Sequence, residues 1–147
     1  MSRNAGAARH RSRQVALQTL YAAELRRSGP PSEADVEGAL VEVGQNFELP
    51  AGALAFAKEL VLGVARNQAE IDACLTTAST RWRLERMATV DLNTLRLGAF
   101  EILFGDQPVA VTIDEAVELA REFGSDASPG FVNGVLDALR RNRERAT

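Results

Sequence analysis

The sequence has few residues of the types that build disulfide frameworks and metal sites. Its 147 residues include one cysteine, Cys74, and one histidine, His10. A single cysteine excludes an internal disulfide. Cys74 and His10 together supply too few soft ligands for a structural zinc site. No apolar run approaches the roughly 18 residues that a membrane helix needs, and the amino-terminal stretch lacks the apolar core of a signal peptide. These absences predict a cytoplasmic protein without a metal, a cofactor or a membrane span.

The sequence also lacks the motifs of common enzyme classes. It contains no Gly-rich phosphate loop, no GxSxG elbow and no HExxH pair, and His10 has no evident orienting partner. Neighbouring carboxylates such as Asp114 and Glu115 fit the preference of acidic residues for the first turn of a helix. We therefore predict that the protein is not an enzyme.

Periodicity and turn residues together predict an all-α fold. Hydrophobic residues make up 46% and charged residues 25% of the chain, which is ordinary for one globular domain of this length. We expect about seven helices joined by short loops, in two packed helical subdomains of approximately 1–80 and 81–147 that share one core. The segment 89–104 is apolar on most sides, which predicts a central helix covered by others.

Capping signals predict three helix boundaries near the carboxyl end. Thr112 and Glu115 form a capping-box pattern, which predicts that a helix starts at Thr112. Gly124 predicts its end, because glycine can take the left-handed conformation there. Ser128 and Pro129 predict the start of the next helix, as a cap followed by a residue with helical φ.

That last helix has a regular apolar face. Its predicted buried residues are Val132, Val135, Leu136 and Leu139. Gly134 lies inside the same helix, where glycine costs about 1 kcal/mol relative to alanine. We interpret Gly134 as a point of close approach by another helix.

Charge is distributed unevenly along an acidic chain. The net charge is −3, yet residues 1–27 hold six arginines against one glutamate, a net charge of +5. Residues 28–80 carry −6 and residues 81–147 carry −2. A basic end on an acidic body indicates an anionic partner that meets one face only.

The basic end is predicted to form an amphipathic helix with a polar stripe. Arg11, Gln14, Gln18 and Tyr21 stand at i, i+3, i+7 and i+10. Guanidinium groups bind phosphate, amides read base edges and an aromatic ring supports an unstacked base, so the stripe suits single-stranded RNA. Polar residues also occupy the outer face of any amphipathic helix, and both interpretations stay open. The residues expected to face inward are Val15, Leu17, Leu20 and Leu25.

Three separated motifs lie along nearly the whole chain, and they are contained in ARHRSRQVALQTLYAAEL, in RWRLERMATVDLNTLRLGAFEIL and in AVTIDEAVELAREFGSDASPGFVNGVLDALR. In that order they resemble the NusB family of bacterial transcription antitermination factors. Residues 28–50 contribute little to the resemblance. Three motifs in the right order are more specific than any one of them.

The resemblance implies a function and a set of partners. It implies an all-helical protein that binds the boxA segment of leader and ribosomal RNA transcripts. The implied protein partner is NusE, a small-subunit ribosomal protein, and the pair joins other Nus factors on RNA polymerase to support ribosomal RNA transcription. The sequence leaves open whether the free protein is a monomer or a homodimer.

The resemblance also implies which residues contact RNA. They are Arg9, Arg11, Arg13, Gln18, Tyr21, Arg96, Phe131 and Asn133. Alternatives stay open for three of these. Arg96 can instead pair with Asp91 or Glu101, and Phe131 and Asn133 can instead anchor the turn before their helix.

Two further groups are interpreted as structural. Trp82 is expected to be a packed aromatic residue rather than a platform for a base. Arginines close the last helix, where they complement its dipole, and contact of this tail with RNA stays open as an alternative. These arginines are Arg140, Arg141, Arg143 and Arg145.

Two rival functions remain. RNA cytosine methyltransferases carry a NusB-like amino-terminal domain, but the chain ends at Thr147 with no methyl-donor-binding unit, so we expect a free-standing factor. A helical adaptor that binds only proteins would show negligible RNA affinity.

Overall fold

The chain folds almost entirely into α-helices. The computed structural model describes residues 3–26 and 29–146, with side chains from Gly6 onward. Within those ranges there are six α-helices, a single 3₁₀ turn and no strand. The helices are α1 (Arg3–Leu25), α2 (Glu33–Gly44), α3 (Ala53–Ala78), α4 (Thr89–Phe104), α5 (Val109–Phe123) and α6 (Ser128–Ala146), with the 3₁₀ turn at Leu84–Arg86. The all-α prediction is confirmed, with six α-helices in the described part instead of about seven.

Two compact units divide the chain within α3. One comprises Met1–Arg66 and the other Asn67–Thr147. Asn67 has non-helical backbone angles, with φ at −117° and ψ at 16°, inside an otherwise continuous helix. We call these the amino-terminal unit and the carboxyl-terminal unit.

The amino-terminal unit is built on the packing of α1 against α2. Val15, Leu17 and Leu20 are buried, as their spacing predicts. Leu25 is 63% exposed, so its predicted inward position is wrong. It is the last residue of α1, where the helix has run beyond the surface that covers its earlier turns.

Side-chain hydrogen bonds fix two points of this unit. The buried Ser12 hydroxyl lies 2.7 Å from the carbonyl oxygen of Ala53 and donates to it, which ties α1 to the start of α3. At the start of α2, the Ser32 hydroxyl accepts from the Asp35 N–H, and the Asp35 carboxylate accepts from the Ser32 N–H. This reciprocal pair is a capping box and satisfies two donors that a helix start leaves free.

The carboxyl-terminal unit has α4 at its centre. Helix α4 packs against α5 and α6, and all its residues from Leu92 to Ala99 are buried. The predicted central helix over 89–104 is therefore confirmed. The apolar face of α6 predicted from its spacing is buried as well, and it consists of Val132, Val135, Leu136 and Leu139.

The close helix approach occurs at Gly98 rather than at Gly134. A Cβ atom on Gly98 would lie 2.7 Å from Cδ1 of Leu136, so α4 and α6 meet there without room for a side chain. Gly134 is exposed, and a Cβ atom on it would have no atom within 4 Å. Our interpretation of Gly134 is wrong, because it lies on the outer face of α6.

The predicted helix boundaries need three corrections. Helix α5 begins at Val109, and the Thr112 N–H already donates to the carbonyl of Pro108 because Pro108 has started the helix one turn earlier. Gly124 ends α5 with φ at −97°, so it does not use the left-handed conformation. Ser128 is the first residue of α6 rather than its cap, and its hydroxyl accepts from the Ser125 N–H.

Candidate nucleic-acid interface

Helix α1 presents the predicted polar stripe on one side. Arg11 and Tyr21 are exposed, and Gln14 and Gln18 between them are half-buried. Tyr21 exposes 37% of its surface, so one part of its ring is packed while another faces outward. The apolar residues of α1 face away from this stripe, so charge, amide and aromatic groups share one face.

Two exposed arginines of α1 lie against aromatic rings. The guanidinium carbon of Arg9 is 4.3 Å from the centre of the Phe56 ring. That of Arg11 is 5.9 Å from the centre of the Phe47 ring, and its Nη2 donates to the Glu48 carbonyl at 3.3 Å. A cation above a ring is attracted to the ring's negative face, which orients the guanidinium without neutralising its charge.

Arg13 differs from its two neighbours because it is buried. Only 3% of its surface is exposed, and its guanidinium carbon lies 5.6 Å from the centre of the same Phe56 ring. The structure thus brings Arg9 and Arg13 together around Phe56 but leaves only Arg9 accessible. Of the arginines counted in 1–27, Arg27 and the side chain of Arg3 lie outside the described residues.

The charge of Arg26 is neutralised within the unit. Arg26 forms an ion pair with Glu42 of α2. The hydrogen bond from Arg26 lowers the pKa of Glu42 below its ordinary value, with a further contribution from the positive charge. Free basic charge on the described part of α1 therefore lies at its amino-terminal end.

Arg96 is held inside the carboxyl-terminal unit. Its side chain is 8% exposed, and its Nε and Nη2 donate to the two carboxylate oxygens of Asp72 at 2.9 and 3.0 Å. Its Nη1 also donates to the Asn93 side-chain oxygen at 3.4 Å. The sequence suggested Asp91 or Glu101 as its partner, but the two-pronged pair is with Asp72 of α3.

The remaining predicted residues lie near the start of α6. Asn133 is exposed, whereas Phe131 is half-buried against the core of the carboxyl-terminal unit.

Trp82, in the loop before α4, exposes 59% of its surface. Our interpretation of Trp82 as a packed residue is therefore wrong, because the loop RWRLER leaves its indole largely uncovered.

The residues that sequence reasoning missed are Phe47 and Phe56. They lie 36 or more positions beyond Arg11 along the chain, and nothing in the local sequence connects them to it. Within residues 3–26 and 29–146, no group of three or more His, Cys, Asp or Glu side chains could hold a metal ion. Over the same ranges no helix is both long and apolar enough to cross a bilayer.

Comparison with known proteins identifies the family. The NusB family model matches residues 10–141, which is most of the chain. This chain belongs to the NusB family. The NusB match includes every predicted site residue except Arg9, which lies one position before it.

Individual NusB relatives agree with this assignment. The transcription antitermination protein NusB of Anaeromyxobacter dehalogenans is 43% identical over 132 residues, which cover 89% of each chain. NusB of T. maritima has a similar solved structure, with 34% identity, a TM-score of 0.79 and coverage of 90% of each chain. A structure of antitermination factors NusB and NusE in complex with double-stranded RNA has 27% identity and a TM-score of 0.78, and the match covers 92% of this chain and 97% of that one.

Proposed function

We propose that this protein is a transcription antitermination factor that binds boxA-type single-stranded RNA together with NusE and supports ribosomal RNA transcription. Membership of the NusB family and the similar complex of NusB, NusE and RNA support the proposal. The observation that carries it in this chain is the face of α1, where the exposed Arg9 and Arg11 stand on the same helix as the exposed ring of Tyr21.

The accessible residues of the candidate site have direct roles in this proposal. Arg9 and Arg11 bind phosphates, and the ring of Tyr21 supports an unstacked base. Gln18 supplies an amide to a base edge, because a side-chain amide both donates and accepts hydrogen bonds. In the carboxyl-terminal unit Asn133 contacts RNA through its exposed amide, and Phe131 through the uncovered part of its ring.

The two buried arginines have positioning roles. Arg13 shares the Phe56 ring with Arg9, so it fixes the ring that orients its neighbour. Arg96 forms its ion pair with Asp72 and thereby fixes α4 to α3 within the carboxyl-terminal unit. Neither presents its guanidinium to a ligand in this arrangement.

The proposal also covers the wider assembly. The protein acts without catalysis in the cytoplasm, as one RNA-binding domain of two helical subdomains that share a core. With NusE it joins other Nus factors and RNA polymerase. The free protein is a monomer or a homodimer, which sedimentation of the purified chain distinguishes.

Titration with labelled RNA tests the proposal. The arms are a boxA-type single strand, a scrambled single strand and a boxA duplex, each with and without NusE. The duplex arm is needed because the similar complex contains double-stranded RNA. We expect the boxA single strand to bind most tightly and NusE to increase its affinity. Absence of binding in every arm would contradict RNA binding and favour an adaptor that binds only proteins.

A further inference from the structure

Trp82 is unusually exposed for a tryptophan. It is the only tryptophan of the chain and exposes 59% of its surface, more than any other aromatic residue that the structure describes. Tryptophan is highly buried on average, because its large ring gains much from leaving water. The loop is nevertheless well anchored, since the Ser79 hydroxyl donates to the Trp82 carbonyl at 3.0 Å. The exposure is therefore built into an ordered loop.

Two grooves flank the indole, and both have Trp82 and Phe131 in their walls. Each has a volume of about 220 Å³. One extends toward Ser79 and Arg81, and the other toward Arg86 and Asp91. The indole thus stands between two open spaces, with a second aromatic ring bordering each of them.

The same loop carries three exposed arginines. Arg81, Arg83 and Arg86 form no ion pair or side-chain hydrogen bond with any residue in the described part of the chain. Their charge differs in this respect from that of Arg96, which is paired and buried in the same unit. The acidic groups nearby are Glu85, which is exposed in the same turn, and Asp91, which lines one groove.

We propose that Trp82 is a second stacking platform, which takes an unpaired base of RNA while Arg81, Arg83 and Arg86 bind the adjoining phosphates. This inference rests on the proposed RNA-binding function and extends it to the loop before α4. Aromatic rings beside arginines bind single-stranded nucleic acid, because the faces of the bases stack on the rings and the charged phosphates bind the arginines.

The chemistry favours a single strand over a duplex or a protein. The bases of a duplex are already stacked and paired, so their faces are not available to an indole. A protein partner would be expected to meet the arginines with carboxylates and to cover the indole with apolar side chains. That alternative is one of the outcomes of the test.

The single tryptophan makes the test direct, because all indole emission comes from the proposed platform. Wild-type protein is titrated with the boxA-type single strand while tryptophan emission is recorded, and anisotropy of labelled RNA gives the affinity independently. We expect emission to be quenched with the same dissociation constant that anisotropy gives. The boxA duplex at equal occupancy is expected to quench less.

Substitutions then test the energetic contribution. We expect Trp82→Ala to weaken binding about tenfold or more and Trp82→Phe to retain most of the affinity. Phe123→Ala is the matched control, because Phe123 is also exposed in this unit and is expected to leave affinity unchanged. Replacing Arg81, Arg83 and Arg86 by alanine is expected to reduce the slope of log affinity against log salt by about 2.

Two outcomes refute this inference while RNA binding stands, and a third refutes it together with the proposed function. If RNA binds but tryptophan emission does not change and Trp82→Ala binds within twofold of wild type, the platform is refuted and the proposed function stands. If NusE alone changes the emission and Trp82→Ala loses only NusE affinity, the loop is a protein contact and the platform is again refuted. If wild type binds no RNA by anisotropy, both proposals fail together.

Discussion

Arg9 and Arg11 of the amino-terminal unit have a different environment from Arg96 of the carboxyl-terminal unit. In the amino-terminal unit Arg9 and Arg11 lie against phenyl rings and stay exposed. In the carboxyl-terminal unit Arg96 is buried and paired with the carboxylate of Asp72. A ring orients a guanidinium and leaves its charge available, whereas a carboxylate orients it and cancels the charge. The partner, more than the residue type, therefore decides whether an arginine can meet RNA.

Because of this contrast, the net charge of a segment does not give the charge that is available to RNA. Residues 1–27 carry a net charge of +5, yet Arg13 is buried and Arg26 is paired with Glu42. Among the residues of this segment whose side chains the structure describes, the charge that RNA can reach is that of Arg9 and Arg11 on the first turns of α1. The predictions below test the contrast, from the largest expected effect to the smallest.

Removing Arg96 should have the largest effect, and it should be on stability. We expect Arg96→Leu to lower the free energy of unfolding by about 3 kcal/mol, because it leaves Asp72 partly buried without its counter-charge. Arg96→Lys should lose less, since a lysine keeps the charge but not the two-pronged geometry. Urea denaturation measures both variants.

The matched control for Arg96 is Arg121→Leu. Arg121 forms an exposed ion pair with Glu118, and such pairs contribute about 0–1 kcal/mol. We therefore expect this control to keep nearly the stability of wild type.

At a temperature where the Arg96→Leu variant is folded, we expect the RNA affinity of that variant to stay close to wild type. A large loss of RNA affinity in the folded variant would mean that Arg96 contacts RNA directly. It would contradict the contrast between the exposed arginines of α1 and the paired Arg96.

Removing Arg9 and Arg11 together should weaken RNA binding rather than stability, which is the reverse of the effect expected for Arg96. We expect the double alanine variant to lose about 3 kcal/mol of RNA-binding free energy, because charge-assisted hydrogen bonds to phosphate are lost. The salt slope of binding should fall by about 1.4 for two phosphate contacts with a single strand. Anisotropy at several salt concentrations measures both quantities, and circular dichroism should show unchanged helix content.

Arg13 is left out of that variant because it is buried. A change at Arg13 would combine lost packing on Phe56 with lost charge, and the two effects could not be separated. If the Arg9 and Arg11 variant kept both wild-type affinity and wild-type salt slope, the basic end would be only a solvated terminus.

Tyr21 tests stacking in the amino-terminal unit. We expect Tyr21→Ala to lose about 1–3 kcal/mol of RNA-binding free energy and Tyr21→Phe to retain most of it, because the ring and not the hydroxyl supports the base. Binding must be measured well below the melting temperature of each variant, since part of the ring is packed. A folded Tyr21→Ala variant with wild-type affinity would contradict the stacking role.

The sequence predicts the interior of this protein better than its boundaries and partners. The central position of α4 follows from its apolar residues on most sides and the buried face of α6 from its apolar periodicity, and both are local properties of the chain. The start of α5 is set by competition between Pro108 and Thr112, two plausible first-turn signals four residues apart. A pattern does not say which of two nearby signals begins the helix.

The environments of the site residues depend on contacts that are distant in sequence. Arg96 meets Asp72 from 24 positions away, and Arg9 meets Phe56 from 47 positions away. The sequence correctly marks Tyr21 as part of a polar stripe, because the stripe lies on one helix. It does not show that Trp82 is exposed, because that depends on how a loop lies over the core.

Arg140 and Arg141 of α6 are a third case, since carboxylates of the same helix pair with both while Arg141 is exposed and Arg140 is half-buried, and they should have the smallest effect on RNA binding. Arg140 donates to Asp137 and Glu144, and Arg141 also pairs with Asp137. We expect the double variant Arg140→Gln and Arg141→Gln to keep its RNA affinity within about twofold of wild type, because carboxylates of the same helix already neutralise these charges. A loss as large as that of the Arg9 and Arg11 variant would show that pairing does not withhold an arginine from RNA.

The same cluster makes a testable contribution to stability at neutral pH. The hydrogen bond from Arg140 lowers the pKa of Asp137 below its ordinary value of 3.8. Because the pKa of Asp137 is lower in the folded than in the unfolded state, its ionised carboxylate stabilises the folded state at pH values above the ordinary pKa. This stabilisation is lost as the pH falls through the lowered pKa. We therefore expect Asp137→Asn to melt slightly below wild type at pH 7, with the difference shrinking below pH 3.8 and in high salt, which screens exposed pairs. A difference that persists unchanged in acid would show that the cluster acts through packing rather than charge.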